Sequence, residues 1–276
     1  MPRSFYLDGL YCEHAAPAGG QAVERAPLLL VHGAGHGAWC WEHWLEALPR
    51  KGWEAFALSL RNHPGSRTVY GQEFLADTRV DDYADDVARL AGHIARPAVV
   101  IGHSMGGIVA QRFVAREGAA GRDAAALVVL AAVPPAPQDP LRNPPLRHPP
   151  LRDAPLPLDR GYWSTPEESR RRYFHSAPEA VVERALARLV PESPSVMNEF
   201  SLGPGLAVNP RHVRCPVLSV TAGRDGTAVP KDRRIAEFYG GDFLTYPEAG
   251  HDLMLEADWE TVLDDILAWI ARKTGG

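Results

Sequence analysis

The residues best suited to do chemistry are a serine set among glycines, Gly102-His103-Ser104-Met105-Gly106-Gly107. An apolar strand pattern, Ala98–Ile101, runs into this stretch, and a helical pattern, Ile108–Arg116, leaves it. G-x-S-x-G between strand and helix is the sequence form of a nucleophile elbow, in which a tight turn lifts the serine hydroxyl clear of the sheet. The same turn would aim the Met105 N–H at an oxyanion. A plain strand-to-helix turn or a phosphate-cradling loop would share the glycines. No Lys follows as a P-loop requires, and the spacing is not G-x-G-x-x-G.

A serine hydroxyl is a weak nucleophile until a base takes its proton, and that base needs an acid to fix its tautomer. Of eleven histidines, His251 stands in Glu248-Ala249-Gly250-His251-Asp252, just after an expected last strand, Asp242–Tyr246. That position puts it at the carboxyl edge of the strands, the edge that also carries Ser104 and where α/β sheets bind ligands. His103 is read as packing, since from the turn its side chain would point away. Asp225, in Gly223-Arg224-Asp225-Gly226 after the strand Val217–Thr221, gives the chain order Ser…Asp…His. Asp-Gly is also a favoured turn pair, and Asp252 competes for the role, although a residue adjacent to His251 would struggle to orient its ring. A second oxyanion donor should come from His32-Gly33-Ala34-Gly35-His36-Gly37, after the strand Leu28–Val31; the Ala34 N–H is the natural choice.

The elements that must position these groups form an alternation of short apolar runs and helical patterns, the signature of a layered α/β domain with a mostly parallel sheet and helices on both faces. Phe5–Leu7 and Leu10–Cys12 read as an antiparallel opening hairpin, and Ala55–Leu58 and Leu127–Ala131 as further strands. Helices are expected over Trp39–Leu48, Asp81–Ile94 and Ala257–Arg272. The rhythm breaks after Val133: ten of the 24 residues from Pro134 to Pro157 are proline, which neither a central strand nor a long helix tolerates. Thr165-Pro166-Glu167-Glu168 is a capping-box start, and Ser176-Ala177-Pro178-Glu179 repeats the form ahead of a helix over Ala180–Val190. One core domain, 1–133 with 206–276, interrupted by a proline-rich and then helical cap insertion, 134–205, is the expected organisation.

The 276 residues are 45% hydrophobic and 23% charged, ordinary for a globular protein and sufficient for a sizeable core. A formal net charge of −5 gives no electrostatic reason to bind nucleic acid or an anionic membrane. No apolar run is long enough for a membrane span, nor does the start read as a signal peptide. Three dispersed cysteines, Cys12, Cys40 and Cys215, favour a reducing compartment, so a cytoplasmic protein is expected. No His, Cys and carboxylate set has zinc-like spacing, and no metal or organic cofactor is expected.

These residues resemble the α/β-hydrolase superfamily over most of the chain: the His32–Gly35 run with Trp39, the Gly102–Gly107 elbow, Gly223-Arg224-Asp225 and Gly250-His251. The run from His32 to Trp41 resembles the branch of plant-type methyl esterases, hydroxynitrile lyases and many bacterial esterases. The resemblance implies an α/β-hydrolase fold with a variable cap at the insertion. Hydroxynitrile lyases of that branch carry Thr where this chain has Gly33, and Lys where it has Asp252; dehalogenases and epoxide hydrolases put Asp at the nucleophile. What remains is acyl-bond hydrolysis through an acyl-enzyme, on a carboxylic ester of a small or medium apolar substrate. Thioesters and lactones suit the same triad. A non-catalytic ligand binder of the same fold is the reading from another class.

For the substrate pocket, His36, Trp39, Tyr162, Trp163, Phe174 and Met254 are the candidates; Tyr162, Trp163 and Phe174 could equally pack the cap onto the core. Trp41 and Trp44 read as core. Arg142, Arg147, Arg152 and the run Arg170-Arg171-Arg172 add positive charge to the insertion, suited to an anionic substrate or to a solvated face.

Overall fold

A computed structural model describes residues 2–18, 24–67, 75–137, 154–202 and 206–275. The chain opens with a hairpin, β1 (Arg3–Leu7) and β2 (Leu10–Ala15), followed by β3 (Leu28–Val31), α1 (Glu42–Arg50), β4 (Ala55–Leu58), α2 (Val80–Ile94) and β5 (Val99–His103). Then come α3 (Met105–Ala119), β6 (Ala126–Leu130) and a short β7 (Ala136–Pro137). Three helices follow, α4 (Pro166–Tyr173), α5 (Glu179–Leu186) and α6 (Pro194–Leu202), then β8 (Ala207–Val208), which pairs with β7. The closing elements are β9 (Val217–Ala222), α7 (Arg234–Tyr239), β10 (Asp242–Tyr246) and α8 (Trp259–Thr274).

Eight strands form one sheet in the order β1-β2-β4-β3-β5-β6-β9-β10. Every pair from β4 to β10 is parallel, and β2 joins both β1 and β4 antiparallel. The inner strands are continuous buried apolar runs, as Leu28-Leu29-Leu30-Val31 illustrates, because helices cover both faces of a parallel sheet. In α2 the buried Val80, Tyr83, Ala84, Val87 and Leu90 recur at helical spacing and give that helix its inward stripe. The chain leaves β3 toward β4 on one side, while β5 lies on the other. This reversal is a topological switch point, where a crevice opens beyond the carboxyl ends of the strands. The loops after β3 and β5 therefore meet there. Among the described residues no helix is long and apolar enough to cross a membrane.

Several boundaries differ from the sequence expectation for identifiable reasons. The helix expected over Trp39–Leu48 is a tight 3₁₀ turn, Ala38–Trp41, and then α1. The turn buries Ala38, Trp39, Cys40 and Trp41 together, which one amphipathic face would not do. Helix α3 starts at Met105 rather than Ile108, directly after the elbow. Helix α5 stops at Leu186 rather than Val190 because the next residues leave it to bond the core: the Val190 N–H donates to the Gly35 carbonyl at 2.9 Å. Helix α6 was not foreseen. Most of the proline-rich stretch, with Arg142, Arg147, His148 and Arg152, lies outside the described residues.

Candidate active site

Ser104 caps α3 with φ 53° and ψ −118°, a conformation that L side chains rarely adopt. The turn is held on both sides: the Ser104 N–H donates to the Leu130 carbonyl at 2.9 Å, and the Ser104 carbonyl accepts from Gly107 and Val133 N–H at 3.0 and 3.1 Å. Gly33 lies against the same turn. A Cβ there would stand 2.9 Å from His103 Nδ1 and 3.0 Å from Ser104 Cβ, so the position has room for glycine only unless the serine or the His103 ring moves.

His251 Nδ1 meets Asp225 Oδ2 at 2.6 Å, and both residues are buried. The Thr227 N–H donates to Asp225 Oδ1 at 2.6 Å, fixing the carboxylate's rotation. Burial alone would push the imidazole down, but the Asp225 charge and hydrogen bond outweigh it and raise its pKa. Burial likewise opposes ionisation of Asp225, and His251 with the Thr227 bonds holds the carboxyl below its usual range. The geometry separates the two candidate acids. Asp252 turns its Oδ2 to His36 Nε2 at 3.0 Å, while Asp225 has the ring of His251. His103, read as packing, donates from Nε2 to the His251 carbonyl at 3.0 Å. Burial, reinforced by the nearby His251, lowers its pKa to about 3 and keeps it neutral.

The Ala34 and Met105 N–H groups are aimed by the carbonyls of their own peptide units. In a trans peptide the N–H points opposite to the C=O, so fixing one aims the other. The Gly33 carbonyl accepts from His32 Nδ1 at 2.8 Å and from the His36 N–H at 3.2 Å. His32 is in the tautomer this requires, because its Nε2 accepts from the Leu60 N–H at 3.0 Å. Burial and the neighbouring His63 push its pKa well below the usual value and hold it neutral. The Ser104 carbonyl with its two donors does the same for Met105. Each N–H is thereby preorganised, and neither donates to a backbone or side-chain acceptor among the described residues.

Ser104, Ala34 and His251 line one cavity of about 540 Å³ with Tyr162, Arg172 and Tyr173 from the segment 154–202, and with the apolar Val133, Met197, Phe200 and Val229. That segment is bonded to the loops after β3, β9 and β10. The Gly226 N–H donates to the Arg172 carbonyl and the Asp252 N–H to the Tyr173 carbonyl, each at 3.0 Å. Glu256 accepts from the His175 and Ser176 N–H groups at 2.9 and 2.6 Å. Glu192 reaches the loop after β3, where its Oε2 accepts from the Gly35 N–H at 3.1 Å.

Glu192 is fully buried and pairs with His63, Nε2 to Oε2 at 2.9 Å, while Tyr83 and the Ser193 N–H donate to its other oxygen at 2.6 and 2.7 Å. His63 Nδ1 lies 2.9 Å from the Arg61 carbonyl, so both ring nitrogens face acceptors, an arrangement that favours the protonated ring. Burial disfavours both charges, yet each partner outweighs it: His63 is raised and Glu192 lowered.

Of the six pocket candidates, Tyr162 lines the cavity and Trp163 a small recess beside it. Trp39 and Met254 are buried in the core, at 5% and 0% exposure, and do not reach the cavity wall. His36 is likewise buried, spending its ring on Asp252 and on the Ala34 carbonyl at 2.8 Å. Phe174 packs half-buried against the core. The orienting roles of His32, Thr227 and Glu192 were missed. Only His32, in the glycine-rich loop, carried any signal. His103, His251 and Asp252 are close enough to share a cation, with ligand atoms within 4.8 Å. Each already has a partner: His103 bonds the His251 carbonyl, Asp252 bonds His36, and His251 bonds Asp225.

The chain resembles known proteins in sequence and in fold. Protein phosphatase methylesterase 1 of Rattus norvegicus is 36% identical over 88 residues, 32% of this chain, and the match spans 23% of that relative's length. The structure of a methylesterase, MES16, from Arabidopsis superposes with TM-score 0.69 at 18% identity, covering 89% of this chain and 99% of that one. A thermophilic esterase from Thermogutta terrifontis, malate bound, gives TM-score 0.69 at 20% identity over 99% of each chain. At those identities the two structures establish the fold. The family profile described as "Alpha/beta hydrolase family" matches residues 28–265, from the strand before the Ala34 loop into the closing helix. The chain belongs to the alpha/beta hydrolase family.

Proposed function

We propose that this protein is a serine hydrolase that cleaves carboxylic esters of small or medium, largely apolar substrates through an acyl-enzyme. The observation that carries the reading is the 2.6 Å Asp225–His251 bond, which leaves His251 Nε2 for a serine on the same cavity wall. Ser104 Oγ attacks the ester carbonyl as its proton passes to His251 Nε2, and Asp225 stabilises the imidazolium. The carbonyl oxygen, now an oxyanion, accepts from the Ala34 and Met105 N–H groups, whose orientation costs nothing further at the moment of reaction. The tetrahedral intermediate then expels the alcohol, which takes its proton from His251. Water, deprotonated by the same ring, attacks the acyl carbon, and collapse returns Ser104 and releases the acid. The segment 154–202 serves as the cap, with Val133, Met197, Phe200 and Val229 as apolar walls.

The lyase alternative has little support at two positions. A Cβ at Gly33 would crowd His103 and Ser104, and the residue after His251 is a buried carboxylate turned toward His36 rather than a cation. Thioesters and lactones are open to the same steps. The test is intact mass after exposure to a fluorophosphonate, with Ser104→Ala alongside. One adduct on the wild type and none on the variant is the expected result. A folded wild type that takes no adduct overturns the reading in favour of a non-catalytic binder.

A further inference from the structure

We infer that Arg172 makes this site selective for esters whose acyl or alcohol part carries a carboxylate. The inference rests on the serine-hydrolase reading above and names its substrate class. Three consecutive arginines occupy the last turn of α4, and successive residues on a helix point in different directions. Arg170 is taken up by Glu179, with Nη1 to Oε2 at 2.7 Å and Nη2 to Oε1 at 2.5 Å. Arg171 is exposed to solvent. Arg172 alone of the three lines the cavity that holds Ser104 and His251.

The surroundings of Arg172 suit an anion from outside. Among the described residues no Asp or Glu lines this cavity, and no other Lys or Arg does. Among the described residues no carboxylate pairs with Arg172; the one side-chain bond from its guanidinium goes from Nη1 to the Tyr162 hydroxyl at 3.1 Å. A guanidinium presents five N–H donors in a planar fork that matches a carboxylate, so most of that fork remains for a ligand. A half-buried cation on an otherwise polar-to-apolar wall attracts an anion more strongly than a solvated surface arginine would. The whole chain carries a formal charge of −5, so any preference for an anionic substrate has to arise locally.

The cation is also fixed relative to the reacting atoms. Its own carbonyl accepts from the Gly226 N–H at 3.0 Å, one residue beyond Asp225. The next carbonyl, Tyr173, accepts from the Asp252 N–H at 3.0 Å, one residue beyond His251. Main-chain bonds thus tie the arginine to the loops of both the acid and the base. A carboxylate held by Arg172 would set the distance at which the scissile carbonyl can reach Ser104, making one chain length best.

The test compares mono-para-nitrophenyl esters of succinate, glutarate, adipate and suberate with the para-nitrophenyl esters of the matching monocarboxylic acids, in wild type and Arg172→Gln. The expected result is that kcat/KM of the wild type favours the anionic ester at one chain length by about tenfold or more. In Arg172→Gln that ratio should fall by about 10- to 100-fold, the range for a charge-assisted hydrogen bond, and Arg172→Lys should restore part of it. Because both substrates are read on the same preparation, partial misfolding of a variant cancels from the ratio. A wild type that hydrolyses neutral esters as well as anionic ones, or a ratio that Arg172→Gln leaves unchanged, overturns the assignment of Arg172 while the hydrolase reading stands. A wild type that cleaves neither series and takes no fluorophosphonate adduct overturns both.

Discussion

Replacing Glu192 with Gln tests whether a buried charge outside the reaction sets the geometry inside it. Four donors converge on this carboxylate: Tyr83 Oη and the Ser193 N–H on Oε1, His63 Nε2 and the Gly35 N–H on Oε2. An amide can keep its oxygen toward Tyr83 and Ser193. Its NH₂ then faces His63, which loses a proton and accepts, while the Gly35 N–H meets a donor and is left without a partner. One orphaned buried N–H costs about 1–3 kcal/mol. Glu192→Ala, which strips the pair of one member, costs about 3–5 kcal/mol. Gly35 follows Ala34, so the strain falls on a proposed oxyanion donor. Turnover in Glu192→Gln should fall in kcat more than in KM, by between ~10-fold and the ~100-fold that follows removal of a whole donor.

The pair also has a pH signature. His63 is raised in the folded state, so its contribution is complete below its unfolded pKa of about 6.5 and is lost as pH climbs through the folded value. Glu192 is lowered, so its contribution is complete above about 4.3 and is lost as pH falls through its folded value. The stability gap between wild type and Glu192→Gln should therefore be widest at pH values between about 4.3 and 6.5, and should narrow as pH rises past the folded His63 pKa. Urea unfolding across a pH series, with ester hydrolysis on the same samples, measures both effects. Equal unfolding midpoints and equal kcat for the two proteins would refute the reasoning.

Three further outcomes follow from the geometry. Ser104→Gly should unfold at higher denaturant than wild type, by about 1 kcal/mol or more, because glycine accepts the φ of 53° without strain; it should have no ester hydrolysis, and a variant no more stable than wild type would contradict the strained turn. Asp225→Asn should stay folded and lose about 10⁴-fold in kcat. Since Asp225 is what raises His251, any residual activity should have its acid limb at lower pH than wild type, and an unmoved limb would assign the acid elsewhere. Gly226→Ala places a Cβ 2.6 Å from the Arg171 carbonyl oxygen and 2.8 Å from Arg172 Cα. Both neighbours are backbone, so thermal unfolding should show a loss of about 1–3 kcal/mol together with reduced turnover; an unchanged variant would mean that the contact is not maintained.

The sequence was most legible where chemistry follows directly on a buried strand. The runs Leu28–Val31, Val99–His103 and Val217–Ala222 are apolar throughout because parallel strands are covered on both faces, and Ala34, Ser104 and Asp225 lie in the loops just beyond them. Chain order and loop position were enough to bring Ser104, Asp225 and His251 to one edge. Distance along the chain served less well for the pocket. Trp39 and Met254 stand close in sequence to site loops but point into the core, while the walls come from Tyr173, Met197 and Phe200 in a segment whose course depends on tertiary contacts. Glu192, between two prolines and past the end of a short helix, has no periodic pattern around it. Its role exists only once Gly35, His63 and Tyr83 are brought to it from three separate elements. The arginine run was visible, but which member faces inward depended on helix phase relative to the sheet.

The bonds that run from the covering segment into the loops around Ala34, Asp225 and His251 bear on how such a scaffold can be re-engineered. A cap attached only at its ends could be exchanged as a module, and the core would keep its rate. Here an exchanged cap would also have to supply an acceptor for the Gly35 N–H and carbonyls for the Gly226 and Asp252 N–H groups. A chimera whose foreign cap lacks those acceptors is expected to fold yet turn over slowly, with rate recovered by restoring the acceptors before any residue of the substrate wall is changed.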